Sequence, residues 1–305
     1  MDLFVVGLAG FLASMVDGAL GMGFGPTSSS ILLSNGLSPA TVSLTVNLAK
    51  VTTGLAAGVS HWRFRNIDRR LVLRLAIPGC VGAGIGVTVL ANVDGDQLKP
   101  VLAILLFLVG IRILLRFSRP LPLRADAPTD ASAAEARDRV DGPRGVEVAA
   151  TAGGVTNGLI GAWGPVVTPF LLHKGLAPRF AIGSVNTAEV AVATVSAGSL
   201  FASLGGSELD VGVLVAMLLG GVLAAPLAAW VIRFLPARAL GLAVAGLLLI
   251  TNEREIATWL ELDASRWILY CVTPLLVALA ALRPRLTERY SRARSELDDS
   301  VDVHA

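Results

Sequence analysis

Charge is scarce in this sequence: only 16% of its 305 residues are Asp, Glu, Lys or Arg, while 54% are apolar. Mean hydropathy is +0.70. That is too little polar surface to cover a soluble globule of this size, so a bilayer must supply the remaining solvent. Cysteine is scarce too. Cys80 and Cys271 each sit in an apolar segment without a CxxC partner, which argues against a disulfide framework and against a metal site. No Ser–His–Asp, HExxH or Walker-type motif occurs. His173 and His304 stand alone, and His61 with Trp62 reads as an interfacial anchor. An enzyme is therefore not expected, nor a cofactor, a metal or a nucleic-acid partner. No Lys or Arg precedes the first apolar stretch, so a cleaved leader with a basic start is not expected either.

What the chain has is long uncharged runs, among them Gly18 to Ala49, Leu75 to Val93, Val148 to His173 and Val211 to Ile232. About twenty apolar residues make one helical span. The runs are rich in Leu, Ala, Val and Gly and lack the alternation of a membrane barrel, so an all-α, polytopic membrane fold is expected. Spanning or half-spanning helices are placed at 3–20, 26–34, 39–60, 71–92, 98–116, 146–160, 165–173, 179–204, 210–232, 238–251 and 266–282. The one long polar stretch, 118–144, is Pro-rich with interspersed charges and reads as a cytoplasmic linker. It separates a first membrane repeat, 1–117, from a second, 145–252. An additional transmembrane helix, 253–283, and a cytoplasmic tail, 284–305, complete the organisation.

The halves are related. A shift of 139 positions aligns Phe24-Gly25-Pro26 with Trp163-Gly164-Pro165, then Leu32-Leu33 with Leu171-Leu172, Gly36-Leu37 with Gly175-Leu176, Pro39 with Pro178 and Val46-Asn47 with Val185-Asn186. No gap interrupts the register through Ser60 and Ser199. Basic residues then set orientation. If the segments flanking each glycine-rich break enter and return on one side as a helical hairpin, 21 of the 25 Lys and Arg become cytoplasmic. Lys99, Arg254 and Arg266 are left outside and Lys50 inside the membrane. In this threading the repeats are inverted, the C-terminus is cytoplasmic, and rocking of one repeat against the other would give alternating access.

Two groups of residues could carry chemistry. The breaks, Gly18 to Pro26 with Gly21, Gly23 and Gly25, and Gly153 to Pro165 with Trp163 and Gly164, would begin new helices near Pro26 and Pro165 inside the membrane. Such N-termini attract anions through unpaired N–H groups and the helix dipole. Close packing of helices through small residues is the other reading of the same glycines. The second group is Asn47 with Lys50 and, at the matching place, Asn186 with Glu189, each pair on one helix face. Mid-membrane charges need a partner or a wet cavity. Lys50 could draw an anion while Glu189 exchanges a proton, or the two could form a structural ion pair. Asp17, matched by uncharged Thr156, is either a further proton or cation site or a residue near the membrane surface.

The first break followed by Gly36-Leu-Ser-Pro39, the Ser60-His-Trp-Arg63 loop, Asn66-Ile-Asp68 and Gly183-Ser-Val-Asn186-Thr-Ala-Glu189 resemble the sulfite exporter TauE/SafE family. The likeness covers about residues 3–120 and 145–250. It implies a bacterial inner-membrane permease for small sulfur-containing anions such as sulfite or sulfonates. The substrate-binding residues expected are Gly21, Gly23, Gly25, Pro26, Asn47, Lys50, Trp163, Gly164, Pro165 and Asn186, with Glu189 and Asp17 coupling transport to a proton. The partners are then the lipid bilayer, the anion and the proton, with homo-oligomerisation left open. An intramembrane structural or assembly protein, and a membrane enzyme, are the competing classes.

Overall fold

The structure is a computed structural model that describes residues 2–20, 22–118, 145–176, 178–204, 209–231, 237–262, 271–280 and 282. Gly21, the linker beyond Ser118 and the tail from Pro284 lie outside them. Among the described residues the regular structure is entirely helical: α1 (Leu3–Leu20), α2 (Phe24–Ser34), α3 (Pro39–Arg63), α4 (Arg69–Asn92), α5 (Gly95–Phe117), α6 (Val146–Ile160), α7 (Gly164–His173), α8 (Pro178–Leu204), α9 (Val211–Val231), α10 (Ala237–Trp259) and the short apolar α11 (Cys271–Ala280). The helices α3, α4, α5 and the stretch Phe180–Leu204 of α8 are long and apolar enough to cross a membrane.

The outward faces agree with a lipid solvent. Leu73, Ile77, Val81, Ile85 and Val89 recur every fourth residue along α4, and all five are exposed. A water-soluble surface rarely carries so continuous an apolar stripe.

Matched positions of the two halves fold alike. Both half-helices α2 and α7 end in a left-handed glycine, Gly36 (φ 89°) and Gly175 (φ 84°). The following residue turns back in each case: Leu37 N–H donates to the Leu32 carbonyl at 3.3 Å, and Leu176 N–H to the Leu171 carbonyl at 3.2 Å. This is a glycine-dependent helix stop, used twice at the same register. At α4 and α5 the starts are capped by Asp68 and Asp94, whose carboxylates accept backbone N–H bonds of the first turn.

Packing between the halves is reciprocal. The first helix of each repeat lies on the fourth helix of the other, α1 on α9 and α6 on α4, while α5 pairs with α10 and α3 with α8. Small residues allow the first two contacts. A Cβ at Gly82 would strike the Thr151 carbonyl of α6, one at Gly158 the Ala83 carbonyl of α4, and one at Gly220 the Gly7 carbonyl of α1. So Gly153, Gly154 and Gly158 lie within a helix and serve packing, which narrows the second break to Gly161 through Trp163.

Helix ends locate the elements along the bundle. Arg74 near the start of α4 bonds Glu147 at the start of α6, at 2.6 and 2.8 Å. Asp68 N–H, also at the start of α4, donates to Ser184 Oγ near the start of α8 at 3.0 Å. Gly95, past the far end of α4, abuts Pro39 at the start of α3. One expectation is corrected: α10 runs to Trp259 instead of ending at 251. Its Asn252 and Glu253 are buried by neighbouring helices instead of leaving the helix for solvent, with Glu253 accepting a hydrogen bond from Thr273 of α11.

Candidate functional site

Lys50 lies near the middle of α3 and Glu189 near the middle of α8, and their side chains form an ion pair. Lys50 is only 7% exposed and Glu189 19%. The ammonium also donates to the Gly161 carbonyl at 2.6 Å and to Asn157 Oδ1 at 3.4 Å. All three of its N–H donors are thus engaged. The Gly161 carbonyl is available because the chain leaves the helix there: Gly161 is left-handed (φ 67°), and its N–H closes the end of α6 on the Asn157 carbonyl at 2.8 Å.

The two breaks meet at this point. A Cβ at Gly25 would fall 2.6 Å from the Gly161 carbonyl carbon and 3.3 Å from Lys50 Nζ. Only glycine permits that approach. Gly23, the residue before α2, holds φ 138°, another conformation that favours glycine. Each break is also laced internally from the matching residue of its first helix. Asp17 Oδ1 accepts the Phe24 N–H at 3.3 Å, and Thr156 Oγ1 donates to the Ala162 carbonyl at 2.8 Å. Asp17 and Thr156 differ in charge yet hold the same turn. Asp17 is also within electrostatic reach of Lys50 and Glu189.

Around the ion pair runs a buried polar network. Asn157 Nδ2 donates to Asn47 Oδ1 at 2.7 Å and to Ser196 Oγ at 3.0 Å. Asn47 Nδ2 donates to the Asn157 carbonyl at 3.2 Å, Ser43 Oγ to the Gly158 carbonyl at 2.7 Å, and Ser29 Oγ to the Ile160 carbonyl at 2.7 Å. These bonds tie α2 and α3 to the last turn of α6. The hydroxyls of Thr27, Thr45 and Thr168, on α2, α3 and α7, are buried with no partner among the described residues. Asn186 is half-buried, and its side chain has none there either.

Proline thins the donors at the half-helix starts. Phe24 N–H is used by Asp17 and Pro26 has no N–H, which leaves Gly25 N–H in the first turn of α2; beside Pro165, Gly164 N–H has the matching place in α7. Both prolines are buried. Trp163 is fully buried: its ring fills a socket between Gly79 and Gly153, and Nε1 donates to the Val185 carbonyl at 3.2 Å. It anchors the second break to α8.

The geometry therefore brings Gly25, Asn47, Lys50, Gly161 and Glu189 together, with Asp17 within electrostatic reach. Gly21 falls outside the described residues. Asn157, Ser43 and Ser196 were not among the expected site residues. The signal for Ser43 is its place one turn before Asn47; Asn157 lies in the last turn of α6, one turn before the break, where its amide is the polar group among glycines.

A sequence profile described as Sulfite exporter TauE/SafE matches residues 6–252, nearly all of both repeats. The chain belongs to the sulfite exporter TauE/SafE family. A relative within reach of direct comparison is the probable membrane transporter protein YtnM of Bacillus subtilis (strain 168), 36% identical over 273 residues, which cover 88% of this chain and 87% of that protein. No solved structure matches. This TauE/SafE protein is accordingly a multi-pass membrane transporter, and its glycine breaks and central ion pair fall inside the family match.

Proposed function

We propose that this protein is a secondary transporter that moves a small sulfur-containing oxyanion, of the sulfite or sulfonate type, across the bacterial inner membrane by alternating access. The observation that carries the reading is the junction of the two helix breaks on a buried lysine. A cation, a freed backbone carbonyl and the contact of the two helix breaks coincide where a bilayer interior would otherwise disfavour a charge. The family supports a sulfur oxyanion as cargo.

Inverted repeats are part of the proposal. They are supported by the helix ends: α3 begins beside Gly95, past the far end of α4, whereas its counterpart α8 begins beside Asp68 at the near end. With the arginine-rich ends of α3 and α4 inside, the C-terminus is cytoplasmic.

Coupling follows from the saturation of Lys50. Its ammonium has no spare donor, so an oxyanion binds by replacing Glu189. A proton on Glu189 makes that exchange cheap, because the leaving carboxyl becomes neutral and the anion restores the charge balance. Asp17, within electrostatic reach of the pair, is the second group able to take a proton. Asn186, whose side chain has no partner among the described residues, supplies an amide donor to the bound oxygens, while Asn47, with its amide committed to Ser43 and Asn157, positions the site.

The test is flux of sulfite and a panel of small sulfonates and carboxylates in proteoliposomes, with Lys50→Met and Glu189→Gln measured beside wild type. Loss of anion flux in Lys50→Met and loss of its pH dependence in Glu189→Gln are expected. Unchanged flux in both would leave the ion pair a purely structural clasp.

A further inference from the structure

A second polar region lies away from the central site, where the C-terminal end of α2 meets α10. An open pocket of about 430 Å³ is lined there by Ser34, Ile250, Thr251 and Arg254. Its wall is firmly built. Ser30 Oγ on α2 is hydrogen-bonded to Thr251 Oγ1, Asn252 Nδ2 donates to Ser30 Oγ at 2.8 Å, and Thr251 Oγ1 donates to the Leu247 carbonyl at 2.7 Å. Arg254 follows Thr251 by three residues and so shares its helix face. The position matching Ser30 in the second repeat is Pro169, which has no hydroxyl to make this fastening.

Arg254 is exposed and pairs with no acceptor among the described residues. In the threading above, this is the outer face, where basic residues are disfavoured by the insertion rule. Two other basic residues fall there: Lys99 is committed to Asp96 at 2.8 Å, and Arg266 lies outside the described residues. A guanidinium without a partner among the described residues, at a pocket on a cation-poor face, is placed for an anion. Its planar fork suits the oxygens of a sulfite or sulfonate group. The pocket is linked to the central site by one element: Ser34 ends the half-helix whose first turn holds Gly25 against Lys50, about 14 Å away along the helix at 1.5 Å per residue.

We infer that the pocket of Ser34, Thr251 and Arg254 is a second anion-binding site, an outer vestibule that holds the transported oxyanion at the mouth of the pathway. The inference rests on the transport reading above. An anionic lipid headgroup has the same chemistry, and the experiment separates the two sources.

In a Cys80→Ala, Cys271→Ala background, Arg254→Cys is treated on intact cells with impermeant methanethiosulfonates carrying either a trimethylammonium or a sulfonate group. Flux of a small alkanesulfonate, which unlike sulfite does not cleave the mixed disulfide left by the reagent, is measured against outside concentration. Arg254→Cys should raise the outside KM roughly tenfold, the worth of one charge-assisted hydrogen bond. The cationic reagent should lower it again, and the anionic reagent should raise it further. A KM indifferent to the charge placed at 254 overturns the site. The purified variant is also compared in liposomes of phosphatidylcholine alone and with phosphatidylglycerol. An Arg254→Cys effect seen only with the anionic lipid assigns the pocket to an anionic lipid headgroup and overturns the vestibule. Absence of flux for every anion in the unsubstituted background would instead remove the transport reading itself.

Discussion

Asn47 and Asn157 clasp each other across the two repeats: Asn157 Nδ2 donates to Asn47 Oδ1 at 2.7 Å, and Asn47 Nδ2 donates back to the Asn157 carbonyl at 3.2 Å. Both are fully buried. The first amide comes from the middle of a long helix and the second from the last turn before a break, so the clasp fixes where that break sits relative to Lys50.

Asn157→Leu should therefore destabilise the protein by about 1–3 kcal/mol, the cost of stranding buried amide and hydroxyl groups. Thermal unfolding of the purified protein in detergent measures it. Lys50 also loses one of its three acceptors, so anion flux should fall further than stability alone predicts.

Lys50→Met leaves the Glu189 carboxylate facing no cation, which costs about 3 kcal/mol, at the low end for a broken buried pair because Glu189 keeps some exposure. The double variant Lys50→Met, Glu189→Met should recover most of that stability and none of the flux. Unfolding curves and transport assays on the same preparations separate the two effects. Recovery of flux in the double variant would exclude the pair from the mechanism.

Gly25→Ala should disrupt the junction of the breaks, with a cost of about 1–3 kcal/mol for overpacking against the Gly161 backbone. Gly84→Ala, on α4 with open space around its Cβ position, is the matched control. It should be neutral or stabilising by up to about 1 kcal/mol. Expression level and melting temperature of the pair provide the comparison.

Inverted repeats predict that single cysteines introduced at Ser34 and at Lys174, which end the two half-helices or follow directly, react with impermeant reagents from opposite sides of the membrane. Labelling of both from one side would contradict the inversion.

Much of this architecture is legible in the sequence. The match of Gly36-Leu37 with Gly175-Leu176 marked two helix stops because a left-handed glycine leaves a sequence signature at a fixed place. Lys50 and Glu189 stood out because charge is rare in apolar segments, and the structure joins them. Less visible was the division of labour among glycines. Gly25 and Gly161 face a neighbouring break, whereas Gly154 and Gly158 face a neighbouring helix, and nothing local distinguishes the two settings. The length of α10 was underestimated for a related reason: Asn252 and Glu253 look like a helix end until the helices that bury them are known.

The lodging of α1 on α9 and of α6 on α4 means that neither repeat is a module that could stand alone. Each keeps its own glycine-lined face bare and covers the other's. A chain of one repeat would meet the same need by embracing a second copy, so the molecule has the logic of a fused dimer.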